Sequence, residues 1–364
     1  MFERLGQSWA SRGAVVAAAA ALVLAAAAGG AAPAKAQEEL NALVWCDHTD
    51  PALIQPFEEK HDVKVNLKEY EGTGTALAIV EQSQPGDWDV FVVDGVDVPR
   101  VVEAGLLAEL PADQLPIDDI FEPVQMRDVT FRDGKMYAVM EKFGYNVVSY
   151  NSAKVDPADM RDLDTLWSDK YKGRIAVYDY YIPLMDLVAL KLGMKPSDIS
   201  EDTLPQIREA LFALKENSVM VGEVVSSTTA LATGEADILI GGGEWAVAVL
   251  LADNPELDWV LPEQGGILWS QSIGVFKDSQ KQDLALEFVK YIMSPEGQAR
   301  LATSSCFWGM PANRKAGDML TEEQKRGLRW DEQDEFLARS HRYFIPDADL
   351  DAKMLDVWTE FLQH

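Results

Sequence analysis

LNALVWCDHTDPALIQPFEEKHDVKVNLKEYEGTGT, residues 40–75, reads as strand, helix, strand. Leu40–Trp45 is short and apolar, and a polar turn follows it. Asp50 then opens a helix with Pro51 in its first turn, running to His61. Val63–Tyr70 is β-branched and alternates apolar with polar residues, the pattern of a strand with one covered face. Two strands separated by a helix cannot form a hairpin, so the order predicts a parallel sheet in an α/β fold.

The same grammar continues outward from this unit. Thr75–Gln82 reads as helix, Trp88–Val93 as a buried strand, and Val96–Ala104 as a helix stopped at Gly105. A strand is expected at Met136–Met140, and Val147–Tyr150 would carry the chain to a second sheet. Beyond it, strands are expected at Arg174–Tyr178, Met220–Val225, Ala236–Ile240, Leu257–Leu261 and Gly274–Phe276. Helices are expected at Pro183–Leu192, Thr203–Asn217, Thr228–Thr233, Ala285–Met293 and Pro295–Thr303. No Gly/Ser linker separates the halves. Two α/β lobes joined by continuous strands, with a hinge and a cleft between them, fit this pattern better than one overlong core.

The first 36 residues set the compartment. Arg4 and Arg12 flank an apolar run from Gly13 to Ala28, and Ala34-Lys35-Ala36 offers the small residues of a cleavage site. Gly29, Gly30 and Pro33 interrupt the run, which argues against a membrane anchor. A cleaved signal peptide over residues 1–36 and export to the periplasm are expected, and no cysteine marks the new terminus for a lipid. Losing Arg4, Arg12 and Lys35 against Glu3 takes the net charge from −28 to −30. Such a surface repels phosphate backbones and excludes nucleic acid as a natural partner. Cys46 and Cys306 are too few for a disulfide scaffold and lack zinc-site spacing, so they either pair in an oxidising compartment or stay as separate buried thiols.

Enzyme readings find little support. The histidines His48, His61, His341 and His364 form no HExxH pair, and neither a GxSxG elbow nor a GxxxxGK[ST] loop is present. Gly241-Gly242-Gly243 continues as Glu244-Trp245, without dinucleotide spacing. A carboxylate dyad of the glycosidase kind has no distinctive signature among 60 acids. Neither a cofactor nor a metal is expected.

Several segments in order resemble the spermidine/putrescine type of periplasmic solute-binding protein. They are Leu43-Val44-Trp45-Cys46-Asp47, Tyr70-Glu71-Gly72-Thr73-Gly74-Thr75, Trp88-Asp89-Val90 and Gly105-Leu106-Leu107. Further on come Leu166-Trp167 with Tyr171-Lys172-Gly173, Gly234-Glu235-Ala236-Asp237, Pro262-Glu263-Gln264-Gly265-Gly266 with Trp269, and Ser294-Pro295-Glu296. The resemblance implies a type II periplasmic binding fold of two lobes, 40–145 with 271–314 and 146–270 with 315–364. It also implies a monomeric receptor that delivers a solute to an ABC permease in the inner membrane, without chemistry of its own. Both cysteines then fall in the first lobe, which favours a bridge between them.

Carried over by position, the polyamine-holding acids would lie in the loop Tyr178-Asp179-Tyr180-Tyr181-Ile182-Pro183 and two residues after Trp269, where Gln271 stands. Only Asp179 remains as an acid there. A buried diammonium without carboxylate partners is costly, so a smaller, substituted or zwitterionic amine is expected. The expected contacts are Trp45, Tyr180, Tyr181, Trp245, Trp269, Gln271, Phe307 and Trp308, since aromatic faces hold substituted ammonium groups. Asp47, Asp94, Asp97 and Glu244 lie on loops at strand ends where the cleft is expected; a solvated or capping role is the commoner one for each, and Asp47, Asp94 and Glu244 are the candidates to supply the negative charge a cationic head needs. Lys142 would answer a ligand carboxylate or snorkel to solvent. A ferric-ion receptor of similar fold is the alternative: its tyrosine pair would follow Ala236–Ile240, whereas Tyr180-Tyr181 comes one loop earlier.

Overall fold

The computed structural model describes residues 37–364; the expected signal peptide lies outside the described residues. The strands are β1 (Glu38–Val44), β2 (Val63–Glu69), β3 (Val90–Asp94), β4 (Phe131–Arg132), β5 (Lys135–Met136), β6 (Val139–Asn151), β7 (Ile175–Tyr178), β8 (Ser218–Gly222), β9 (Ile238–Gly242), β10 (Leu257–Val260), β11 (Gly266–Val275), β12 (Met310–Pro311) and β13 (Ser340–Arg342). Their main order is β2-β1-β3-β11-β6-β9-β7-β8. The opening unit forms as expected. Asp50 accepts the Ala52 amide at 2.9 Å to cap the helix Pro51–His61, and β1 runs parallel to β3.

Two long antiparallel strands hold the halves together. Residues 139–146 of β6 pair with residues 273–267 of β11, and β11 continues along β3 from Gln271↔Asp94 to Val275↔Val90. Past Asn146 the partners of β6 change: Val147–Tyr150 pair with β9, and Val148–Asn151 with β10. β9 then pairs in parallel with β7, and β7 with β8. The result is a two-lobed α/β arrangement. One lobe centres on β2-β1-β3, with Phe57 and Phe288 meeting edge to face at 5.0 Å beneath it. The other centres on β9-β7-β8, covered by helices Tyr181–Lys191, Leu204–Asn217 and Ala348–Gln363.

The crossing needs two glycines. A Cβ on Gly144 would lie 1.7 Å from Glu244 Oε1, and one on Gly243 would lie 2.0 Å from the Tyr145 carbonyl oxygen. Where β12 has ended and β9 has not begun, the Tyr145 amide instead donates to the Glu244 carboxylate, at 3.2 and 3.1 Å. Two expectations need correcting. Met136–Met140 and Val147–Tyr150 are not separate strands, since residues 139–151 form one buried strand that includes Glu141 and Lys142. Gly274–Phe276 is only the tail of a ten-residue strand beginning at Gly266.

Candidate functional site

The carboxyl ends of parallel strands point their loops at one place, the usual position of a site in an open α/β sheet. Trp45 follows β1, Asp94 ends β3, Tyr178 ends β7 with Tyr180 two residues on, and Trp245 follows β9. The two connecting strands add Asn146 from β6 and Trp269 and Gln271 from β11. These side chains line a cavity of about 100 Å³, together with Val224, Phe307 and Tyr343.

Its aromatic walls come from two sides. Trp269 and Phe307 meet at 5.9 Å, and Trp45 packs 5.6 Å from Tyr70 behind the wall. Across the cavity Tyr178 lies 5.0 Å from Trp245, and Tyr180 meets Tyr343 edge to face at 5.8 Å. The Tyr343 hydroxyl donates to Asn146 Oδ1 at 2.6 Å, and the Asn146 amide donates to the Gly241 carbonyl at 2.9 Å. Tyr343 is thereby tied to the crossing strand. Gln271 Oε1 is buried and has no hydrogen-bond partner among the described residues.

Asp94 is the acid on this wall. Burial, reinforced by the like charges of Asp97 and Asp47, pushes its carboxyl up to about 8. Asp94 and Asp97 in turn raise the Tyr180 hydroxyl, for which burial is again the larger cause, so that phenol stays neutral. The cavity therefore combines aromatic faces with negative potential and a carboxyl that gains by meeting a cation.

The sequence matches the model of the bacterial extracellular solute-binding proteins over residues 52–326. The chain belongs to that family. This solute-binding protein is 20% identical over 273 residues to spermidine/putrescine-binding periplasmic protein 1 of Haemophilus influenzae, covering 74% of each chain. It is 22% identical over 314 residues to the putrescine/agmatine-binding protein of Pseudomonas aeruginosa, covering 80% of this chain and 82% of that one. Among solved structures it resembles the spermidine/putrescine ABC transporter substrate-binding protein of Streptococcus pneumoniae, with a TM-score of 0.76 and 20% identity. That match covers 90% of this chain and 99% of the other.

Of the residues nominated from the sequence of this solute-binding protein, Trp45, Asp94, Tyr180, Trp245, Trp269, Gln271 and Phe307 meet at the cavity. Four others turn elsewhere. Asp47 is fully buried in ion pairs, and Glu244 is fully buried against Tyr145 and Gly144. The Tyr181 hydroxyl bonds Asp351 Oδ1 at 2.6 Å, so Tyr180 and Tyr181 do not converge, and Trp308 lies against Gly327. Asp179, the acid kept from the family's loop, accepts the Trp358 indole N–H at 2.9 Å. Asn146, Tyr178, Val224 and Tyr343 were not nominated. Asn146 and Tyr178 carried a signal, since both stand at strand crossings or strand ends, but Tyr343 lies in the C-terminal segment with none.

Lys142 neither snorkels nor faces the cavity. It is fully buried, donating to Asp47 Oδ2 at 2.9 Å and to the Phe307 carbonyl at 3.0 Å, with its ammonium 4.0 Å from the centre of the Phe307 ring. His48 bridges Asp47 at 2.9 Å and Glu141 at 3.0 Å, both also fully buried. Burial opposes a charged His48, but Glu141 and Asp47 outweigh it and hold the imidazole up at about 10. Burial likewise favours a neutral Asp47, yet Lys142 and His48 keep it well below the usual carboxylate range. Burial raises the Glu141 carboxyl against the pull of His48 beside it, and in its ionised form the four charges sum to zero. Cys46 and Cys306, next to Asp47 and Phe307, form a disulfide with Cα atoms 6.0 Å apart.

Proposed function

We propose that this protein is the periplasmic receptor of an ABC importer and captures a small organic amine for delivery to a membrane permease. The observation that carries this reading is Asp94, a half-buried carboxyl among aromatic faces with its proton affinity raised to about 8. A cation entering there recovers the ionised form of Asp94 and stacks on rings worth about 0.5–2 kcal/mol each. The names of the H. influenzae and P. aeruginosa relatives support an amine solute and a periplasmic location. The position of the acid differs from the family's expected one in an informative way. Gln271 replaces the acid two residues after Trp269, and its direct cross-strand neighbour is Asp94.

The lobes we assign are 40–145 with 271–314 and 146–270 with 315–364, divided where β6 exchanges β11 for β9 and β10. Closure over the solute is the signal a permease reads, because a ligand shifts an equilibrium only through its preference for one state. Trp45, Asp94, Tyr178, Tyr180, Trp245, Trp269, Gln271, Phe307 and Tyr343 are the proposed contacts.

The test is a thermal-shift screen of protein unfolded and refolded to remove carried-over ligand, against monoamines, diamines, quaternary ammonium compounds, amino acids and ferric citrate. A bound amine at 100 times its Kd stabilises by about 2.7 kcal/mol, and Asp94→Asn should abolish that shift. No response to any amine, or a response only to ferric citrate, would end the amine reading.

A further inference from the structure

The cavity continues beyond its aromatic walls. Asp94, Trp269 and Tyr343 also border a second chamber of about 120 Å³. Its sides are largely apolar, built from Val96, Met126, Val129 and Leu268, and it carries Asp128 and Arg342, which the first cavity does not share. Arg342 stands on β13 opposite Leu268 of β11, and Asp128 on the short helix Arg127–Thr130. The guanidinium donates to both Asp128 oxygens, at 2.9 and 2.8 Å, and holds that carboxyl below its usual range. A chain running from Asp94, at the boundary of the two chambers, into the second would therefore meet an acid already engaged through both oxygens.

Charge follows from this arrangement. Asp94 and Asp128 are the acids lining the two chambers among the described residues, and Arg342 is the cation. With both acids ionised the walls sum to −1. Asp97 adds to the field at Asp94 from outside both chambers, and Lys142 is sealed behind Phe307. One positive charge on the solute balances these walls. A second ammonium beside Asp128 would find that carboxylate already engaged by Arg342 at a half-exposed ion pair, and the like charge of the guanidinium would oppose it.

We propose that Arg342 is a specificity-determining residue: by occupying Asp128 it restricts this site to solutes of net charge +1 and excludes α,ω-diamines. The solute class is then a monoamine or substituted ammonium whose uncharged chain fills the second chamber. The inference rests on the amine reading above and narrows it.

The test compares n-butylamine with 1,4-diaminobutane, equal in chain length and differing in one charge, by calorimetry on refolded protein. The intact protein should prefer the monoamine by tenfold or more. Arg342→Gln should shift the ratio toward the diamine by at least tenfold, because Asp128 is released to hold the second ammonium. Asp128→Asn should move it the other way, and Asp128→Asn added to Arg342→Gln should cancel the gain. Opposite directions from the two partners of one half-exposed ion pair are not a consequence of damaged folding. A diamine bound by the intact protein as tightly as the monoamine, or a ratio that Arg342→Gln leaves unchanged, would overturn the role of Arg342 while amine binding stands. If neither amine binds any form, the role of Arg342 falls, and the amine reading falls with it when the thermal-shift screen also finds no responding amine.

Discussion

Binding of the proposed amine at Asp94 must be coupled to proton release. In the protein alone the carboxyl titrates near 8, raised by burial and by Asp97 and Asp47, whereas an ammonium beside it favours the ionised form. At pH 7 roughly one-tenth of the molecules carry the charge, and at pH 6 roughly one-hundredth. Each pH unit below 8 should therefore weaken the apparent affinity about tenfold, about 1.4 kcal/mol, and the curve should flatten above 8. n-Butylamine stays protonated from pH 6 to 9, so the slope belongs to the protein. Titration calorimetry at pH 6, 7, 8 and 9, in two buffers of different ionisation enthalpy, measures both affinity and protons released. About 0.9 proton should leave per amine bound at pH 7. Glu244, also pushed up to about 8 by burial, is the competing source, but it lies off the cavity. Asp94→Asn should remove the slope and Glu244→Gln should keep it. An affinity that is flat or falls as pH rises from 6 to 8, or a slope that survives Asp94→Asn, would refute this reasoning.

Two further outcomes concern the wall behind Phe307. Lys142→Met leaves Asp47 buried with one cation fewer, and such a broken pair typically costs about 3–5 kcal/mol; a loss below about 1 kcal/mol in urea unfolding would show that the cluster carries little of the stability. Replacing Cys46 and Cys306 with serine opens a link between residues 260 apart in the sequence, and the stability lost should be about 2–4 kcal/mol. The same loss should follow from reducing the unaltered protein, read as a lowered Tm in dithiothreitol.

The β-α-β opening was legible because residues 40–75 carry every local signal in agreement: an alternating strand, a capped helix and a second strand. The central strands were not, and the reason is chemical. Glu141-Lys142 breaks the apolar run of β6, and Ser270-Gln271-Ser272 breaks that of β11, so each strand was expected in fragments. Inside the fold those polar residues find partners, Lys142 in Asp47 and Phe307, and Ser272 in the Val93 carbonyl at 2.9 Å. A period-two reading cannot register a buried charge whose partner lies 95 residues away. The same limit governs the site. Aromatic side chains after strands β1, β7 and β9 were visible as candidates because strand ends converge in such a sheet. Asp47, Asp94 and Glu244 looked alike as loop acids, and only packing separates the one that reaches the cavity from the two that hold the framework.

That framework explains how four charges can be buried beside the proposed binding site. Desolvating Asp47, His48, Glu141 and Lys142 is unfavourable in itself, and an apolar cluster of the same volume would serve stability at least as well. What an apolar cluster lacks is direction. Lys142 fixes the Phe307 carbonyl and ring at once, Asp47 fixes Lys142, and the Cys46–Cys306 bridge ties the segments that carry Trp45 and Phe307. The first aromatic wall is thus held by a covalent link and by ion pairs, so its ordering cost falls on folding rather than on binding. The facing wall has lighter supports, the Tyr343–Asn146 hydrogen bond and the edge contacts among Tyr178, Tyr180 and Tyr343. If the lobes open and close, the asymmetry assigns the parts: the Trp45–Phe307 wall keeps its shape while the Tyr178–Tyr180 wall comes to it. Differential affinity for the closed form then resides in the second wall, and substitutions at Tyr180 should alter closure more than substitutions at Phe307 of equal size.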